Sequence, residues 1–378
     1  MPIEIREHVP GRDLGDFLTA PRVVFEGDPN YVSPLDFEMK DRLTPGKNPF
    51  FSRGELGLFT AWKDGRLVGR ISAQIDHEHL HLHKDQTGFF GFFDTIDDDA
   101  VGQALIDAAA AWLARRGMTR MRGPLSLTIN EEVGVLIEGF DMPPAIMMSH
   151  SRAWQDRVAL STGLEKAKDF FAWRFDVGNI PERALKAWSD VKGMPEVRLR
   201  SVDPRKMASE LAIILEIFND AWSSNWGFVP ATPDEAKKMG DDLKLILDPE
   251  LAFIAEVEGR PVGMCITLPN LNEVIRDFDG KLNPVTVAKL LWRLKVKRPV
   301  SARLVMLGLR SELRGQRRYG GLSHALYVEI AKRAEAIGYK WGELSWTLED
   351  NRPINLGIKS MGARVYKKYR VYEKAIGG

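Results

Sequence analysis

Only one cysteine, Cys265, occurs in 378 residues, so no internal disulfide can form. A reducing compartment, the cytoplasm, is therefore expected. Neither sign of charge is in excess: 53 Lys and Arg face 52 Asp and Glu, for a formal net charge of +1. That balance argues against general nucleic-acid binding, which needs a basic surface. No apolar run approaches the roughly 20 residues that span a bilayer, so no membrane span is expected. The opening MPIEIREHVPGRD also lacks a basic stretch followed by an apolar one, and no signal peptide is expected. The length suggests roughly two or three domains of mixed α/β type.

What the chain does carry is concentrated between Leu304 and Leu326, LVMLGLRSELRGQRRYGGLSHAL. An apolar run of strand character passes through a basic, glycine-containing turn into a helix. The first turn of a helix has unpaired N–H groups and the positive end of its dipole, which suits a phosphate. Arg314, Arg317 and Arg318 add charge beside it.

The setting of this stretch occurs twice. Glu55–Ile75 holds two β-rich runs around Lys63-Asp64-Gly65, a hairpin signal, and Glu250–Ile266 echoes it around Glu258-Gly259. Two amphipathic helices, Ala104–Gly117 and Ala325–Gly338, end at the same glycine stop. Strand-like runs then follow Gly163 and Gly362. The order predicts two copies of one α/β unit, residues 1–178 and 197–378, joined near Asn179–Glu196. The copies differ at the turn. Where the second has arginines, the first has Asp97, Asp98 and Asp99, which would repel an anion. The first copy is therefore expected not to bind a phosphate-bearing ligand. Long insertions, Gly123–Ser161 and Asn270–Pro299, also differ, and the latter holds a basic amphipathic helix candidate, Val285–Lys297.

Other groupings have bland readings beside sharper ones. His77, His79, His81 and His83 alternate, which on a strand would place them on one metal-binding face. A polar edge or loop is the preferred reading, and no metal is expected. His324, just inside the second helix, could donate to a phosphate or sit on an ordinary helix face. Cys265 reads as a buried, inert thiol. Phe218, Trp222, Trp226 and Phe228 read equally as an acceptor pocket or as core.

The order of hairpin, strand, Arg/Gly turn, helix and closing strands resembles the GNAT superfamily of acyl-CoA-dependent N-acyltransferases. The family's Gln/Arg-x-x-Gly-x-Gly/Ala signature aligns with Arg317 to Leu322, where Arg317 and Gly320 match and Leu322 departs. Asn351 lies eleven residues before Gly362, the family's Asn…Leu-Gly-Phe spacing. Gly123–Pro144, Phe218–Pro230 and Glu343–Asn351 look like segments of a group of uncharacterised tandem bacterial GNAT-like proteins. The resemblance implies two tandem α/β (α+β) domains, each a mixed, mostly antiparallel central sheet flanked by helices.

It further implies acetyl-CoA or another acyl-CoA as co-substrate, held by Leu309, Arg310, Ser311, Arg314, Gly315, Arg317, Arg318, Tyr319, Gly320, Gly321 and Asn351. The implied reaction is direct acyl transfer to the amine of a small-molecule acceptor. Glu343 is the candidate base. The family's leaving-group acid, a Tyr seven residues after the Asn, falls here on Ile358, so Tyr366, Tyr369 and Tyr372 come into view, with Tyr372 the candidate acid. Two alternatives stay open: a catalytically inactive CoA-binding or sensing protein, and a long-chain N-acyl amino acid synthase.

Overall fold

A computed structural model describes residues 2–377. The chain runs β1 (Glu4–His8), α1 (Gly15–Val24), α2 (Asp36–Arg42), β2 (Gly54–Lys63), β3 (Arg66–Asp76), α3 (His77–His83) and β4 (Thr87–Thr95). Next come α4 (Asp99–Ala114), β5 (Arg120–Gly123), β6 (Val135–Glu138), α5 (Gln155–Ser161), β7 (Glu165–Asp176), α6 (Glu182–Lys192) and β8 (Val197–Ser201). It continues through α7 (Met207–Trp222), α8 (Pro233–Leu243), β9 (Ala252–Val257), β10 (Arg260–Pro269), α9 (Leu271–Ile275) and α10 (Pro284–Trp292). It ends with β11 (Ser301–Leu309), α11 (Leu322–Ala336), β12 (Trp341–Leu348), α12 (Arg352–Ser360) and β13 (Arg364–Ala375). Among the described residues no helix is long and apolar enough to cross a membrane.

The repeat is visible in the backbone. Both hairpins turn on a residue pair with positive φ, Asp64 and Gly65 at 53° and 73°, and Glu258 and Gly259 at 52° and 77°. That backbone twist matches the twist of the strands it joins. Each copy then has one parallel pair, β4 with β5 and β11 with β12. The helix between the parallel strands buries one face. In α4 this face carries Val101, Leu105, Ala109 and Leu113, and in α11 Leu322, Leu326, Ile330 and Ala334, each set at four-residue spacing.

The chain divides into two compact units that do not follow chain order. Unit 1 comprises Met1–Phe170, Ile275–Ala288 and Lys367–Gly378, and unit 2 comprises Phe171–Val274 and Lys289–Tyr366. In unit 1 the strand order is β1-β2-β3-β4-β5-β13, with β6 also on β13. In unit 2 it is β8-β9-β10-β11-β12-β7. Each sheet is therefore closed by the last strand of the other copy. The expected boundaries, 1–178 and 197–378, follow the repeat in sequence, and the compact units cut across it at these strands. A local pattern specifies a strand but not the sheet that receives it.

The exchange is held by buried groups. Tyr369, Val371 and Tyr372 have zero exposure. Lys367, also fully buried, donates from Nζ to the carbonyls of Gly139 and Met142, both at 2.6 Å. Arg122 pairs with Glu373 at 2.8 Å. The segment Ile275–Ala288 joins unit 1 through Asp36 N–H to Gly280 O at 2.8 Å and Arg22 to Asp279 O at 3.0 Å.

One local expectation changes. The alternating histidines lie on a helix, α3, because the Asp76 carboxylate accepts from the N–H groups of Glu78 and His79 and caps it. Helical spacing sends neighbours i and i+2 to different sides. His79 is buried against Asp85 at 3.1 Å, and burial lowers its pKa. Among the described residues no group of three or more His, Cys, Asp and Glu could hold a metal ion.

A chain ending at Tyr366 should lose the closing strand of unit 1. Burying Tyr369, Val371 and Tyr372 is worth about 5 kcal/mol or more together, a large share of a domain's stability. Hydrogen exchange on that truncated chain should show protection lost across β2–β5 and kept in β9–β11. Equal protection in both would refute the exchange.

Candidate functional site

The site is built in unit 2 from the end of β11 to the start of α11. Pairing of β11 with β12 runs from Ser301↔Trp341 to Leu304↔Leu344, although β11 continues to Leu309 and β12 to Leu348. The two parallel strands thus part company towards the basic turn. Two short 3-10 turns follow, Ser311–Leu313 and Arg317–Tyr319, with Gly315 between them at φ +79°. Helix α11 then starts after Gly321 with no side-chain cap. Its first N–H groups are left to an outside acceptor.

Helix α7 braces the turn. The Asp220 carboxylate accepts from the Ser311 N–H at 2.5 Å and from its hydroxyl at 2.8 Å. Burial opposes the Asp220 charge, but these hydrogen bonds and the nearby Arg310 and Arg314 hold its pKa below the ordinary value. Arg310 pairs with Glu216 at 2.8 Å, and Arg314 donates to the Ala221 carbonyl. Arg318 pairs with Glu196 at 2.6 Å. Arg317 is exposed, and its side chain has no hydrogen-bond or ion-pair partner among the described residues. Of the four arginines at the turn, it alone has its guanidinium uncommitted, and it lies beside an open helix end.

Aromatic side chains line the approach. A Cβ on Gly308 would sit 2.5 Å from the Trp222 ring, so the missing side chain lets α7 lay that ring against β11. Phe218 stacks on Trp222 at 4.9 Å. An apolar pocket lies against the paired stretch of β11 and β12, lined by Leu304 and Leu344 with Tyr327, Ile330 and Ala334 of α11. His324 is taken up by Ser360 at 2.9 Å. Cys265 is fully buried, and burial pushes its thiol pKa up.

The expected proton carriers fall in different units. Glu343 has zero exposure, sits opposite Arg303 in register, and ion-pairs with it at 3.5 Å. Its carboxylate also accepts from the hydroxyls of Ser345 and Tyr366. Tyr366 itself is half-buried, edge-on to Trp341 at 6.1 Å. Tyr372 lies in unit 1, where its hydroxyl donates to Asp156, and burial with that carboxylate raises its pKa. Asn351 caps α12, accepting from Ile354 N–H at 3.5 Å. Ile358, at the family's tyrosine position, is packed in the unit 2 core. The sequence reading did not find Asp220, Glu216, Arg303 or Ser345, and it brought Tyr366 into view but chose Tyr372. Only Ser345 had a signal, since it alternates with Glu343 and shares its strand face.

The same place in unit 1 is built differently. Asp98 caps α4, accepting from Ala100 and Val101 N–H, and Lys63 pairs with it at 2.5 Å. Arg157 bridges Asp97 and Asp99. Past the paired stretch of β4 and β5 the chain stays close: Leu125 N–H donates to Phe90 O at 2.7 Å. A Cβ on Gly91 would lie 2.2 Å from Leu125 O. Neither an open helix end nor a gap between strands is left there.

Solved structures show that the fold is that of GCN5-related N-acetyltransferases. A tandem GNAT protein from the clavulanic acid biosynthesis pathway matches 100% of this chain and 99% of its own, with a TM-score of 0.59 at 14% identity. The GCN5-related N-acetyltransferase from Sphaerobacter thermophilus matches 99% of this chain and 95% of its own, at 0.55 and 14%. At such identities the likeness shows the fold alone. No family model matches the chain. Two relatives are much nearer in sequence. The chain is 41% identical over 367 residues to the bacterial ceramide synthase of Caulobacter vibrioides (strain NA1000 / CB15N), covering 96% of this chain and 95% of that protein. It is 39% identical over 381 residues to Protein YghO of Escherichia coli (strain K12), covering 98% and 95%. The chain belongs to the family of these two proteins, and its fold is that of the GNAT structures.

Glu343→Gln should remove the buried anion that faces Arg303 and destabilise unit 2 by about 3–5 kcal/mol. Tyr366→Phe removes one hydroxyl and should cost only about 1 kcal/mol. Urea titration of both variants checks the ordering, and equal small losses would mean that the pair carries little of the fold.

Proposed function

We propose that this protein is an N-acyltransferase that moves a fatty acyl group from CoA to the amine of a long-chain amino alcohol, giving a ceramide-type amide. The observation that carries the reading is the uncapped start of α11 beside an uncommitted Arg317. An anion such as the CoA pyrophosphate suits those donors and that charge. The lipid nature of both substrates is supported by the name of the 41% identical relative. Unit 1, with its helix start capped by Asp98, is proposed to leave CoA alone.

The residues suggest how the protons move. Direct attack forms a bond from the amine nitrogen to the thioester carbonyl carbon and breaks the C–S bond. The amine gives up a proton, and the departing CoA thiolate takes one. In our reading Tyr366 takes the amine proton as it passes its own to Glu343, the carboxylate it already bonds. When the C–S bond breaks, the proton returns from Glu343 through Tyr366 to the departing thiolate. Tyr372, in the other unit, has no part in this scheme. A second reading, acyl-CoA binding without turnover, is favoured by the buried Ile358 at the family's acid position.

Release of free thiol, followed with acetyl- and long-chain acyl-CoA against long-chain amino alcohols, amino acids and short amines, tests the proposal. Thiol release with the long-chain pair is expected. Binding with no release would favour the second reading, and no binding of any acyl-CoA would sink both. Arg317→Glu should raise the KM for acyl-CoA about ten- to a hundredfold, the worth of one charge-assisted hydrogen bond. Asp98→Ala should leave that KM unchanged. Tyr366→Phe should lower kcat about a hundredfold or more if the relay operates, well beyond its effect on stability.

A further inference from the structure

The insertion between β10 and β11 contains a surface that the acyl-transfer reading does not use. From Lys289 to Arg298 the sequence KLLWRLKVKR places five cations in ten residues, and residues 280–311 include no Asp or Glu. This is the end of α10 and a π-helical turn, Arg293–Lys297. Leu290 and Leu294 are buried and fix the segment to unit 2. Arg293 donates to Val274 O at 2.6 Å, and Arg298 to Ile337 O at 3.2 Å. The remaining apolar side chains point away from the core. Trp292 is 53% exposed, Val296 68% and Leu291 44%, with Lys295 and Lys297 exposed beside them.

We infer that Lys289–Val300 docks this protein on the surface of an anionic lipid bilayer. Large apolar residues on an exposed face beside lysines are what an interfacial segment requires: the apolar groups enter the headgroup boundary and the cations meet acidic lipids. Tryptophan favours that boundary because its ring is apolar and its N–H polar. Charge selects the occupant. A second copy of the chain would set these cations against each other, whereas a surface of acidic headgroups complements them. A nucleic acid would satisfy the lysines but has no use for Leu291 and Val296. The segment lies on the surface rather than through the bilayer, because no described helix is long and apolar enough to cross. The inference does not rest on the proposed reaction, since it concerns a different surface and is read out without turnover.

Co-sedimentation of the full chain with vesicles tests it. Binding is expected to phosphatidylcholine vesicles containing about a third phosphatidylglycerol, and little to pure phosphatidylcholine. Raising salt should release the protein, because surface charge is screened. Lys295→Gln with Lys297→Gln should lower partitioning about 30-fold, at about fivefold per cation. Trp292→Ala should weaken it with no loss of the charge effect. All three positions are exposed, so thermal midpoints should stay within a degree or two of the parent, and a variant that fails this is replaced by Val296→Ser. Equal sedimentation of parent and variants would overturn the inference, as would no binding to phosphatidylglycerol vesicles. So would dimerisation lost in the Trp292 variant, or binding to a labelled oligonucleotide without binding to vesicles.

Discussion

A strand's residues specify an apolar face but not the sheet that buries it. Here each sheet is completed by a strand from the other copy. Tyr369, Val371 and Tyr372 of β13 fill unit 1, and Trp173, Phe175 and Val177 at the end of β7 fill unit 2. Neither copy, taken in sequence order, keeps its own last strand in its own sheet. Lys367 makes the exchange specific as well as apolar, because a fully buried ammonium is tolerable only where carbonyls meet it, and Gly139 and Met142 supply them. The two halves of the chain are therefore committed to fold together.

Within that shared plan the two copies have diverged at one electrostatic point. Both begin a helix after a parallel strand, and both face the same unpaired N–H groups. In α4 the problem is solved inside the protein by the Asp98 side chain, which is in turn neutralised by Lys63. In α11 it is left open, with the turn held from behind by Asp220 and Glu216 so that its outward side stays positive. A helix end satisfied by its own aspartate has nothing to offer a phosphate, and one left open has a standing affinity for it. The gap between strands follows the same division: closed by Leu125 in one unit, present beyond Leu304 in the other.

Much of this was legible in the sequence. The Asp-Gly and Glu-Gly hairpins, the glycine-stopped helices and the contrast between three aspartates and four arginines are local signals, and local signals survive in a linear pattern. What was not legible depends on partners far along the chain. Glu343 read as an available carboxylate because nothing nearby in sequence announces Arg303 or Tyr366, and only the register of β11 and β12 brings the first of them opposite. The histidines read as alternating because the cap from Asp76 outweighed the pattern. Asn351, which the resemblance assigns to the cofactor, stands at the head of α12 as its cap.

Net charge was the weakest of the sequence arguments, and the structure explains why. A formal charge of +1 describes the whole chain. A ligand or a lipid surface feels only the charges within about a Debye length, roughly 8–10 Å at physiological salt. Lysines and arginines gathered between Lys289 and Arg298 can present a strongly positive face while acids such as Asp97 to Asp99 offset them elsewhere. Neutral composition therefore argues against a uniformly basic surface and leaves local ones untouched. In this chain two local concentrations of positive charge stand out, the turn before α11 and the end of α10. The first is joined to backbone donors in a turn that a single phosphate group could fill, the second to exposed tryptophan and valine. The chemistry beside each cluster, rather than the charge itself, separates a site for one phosphorylated molecule from a face for an extended acidic surface.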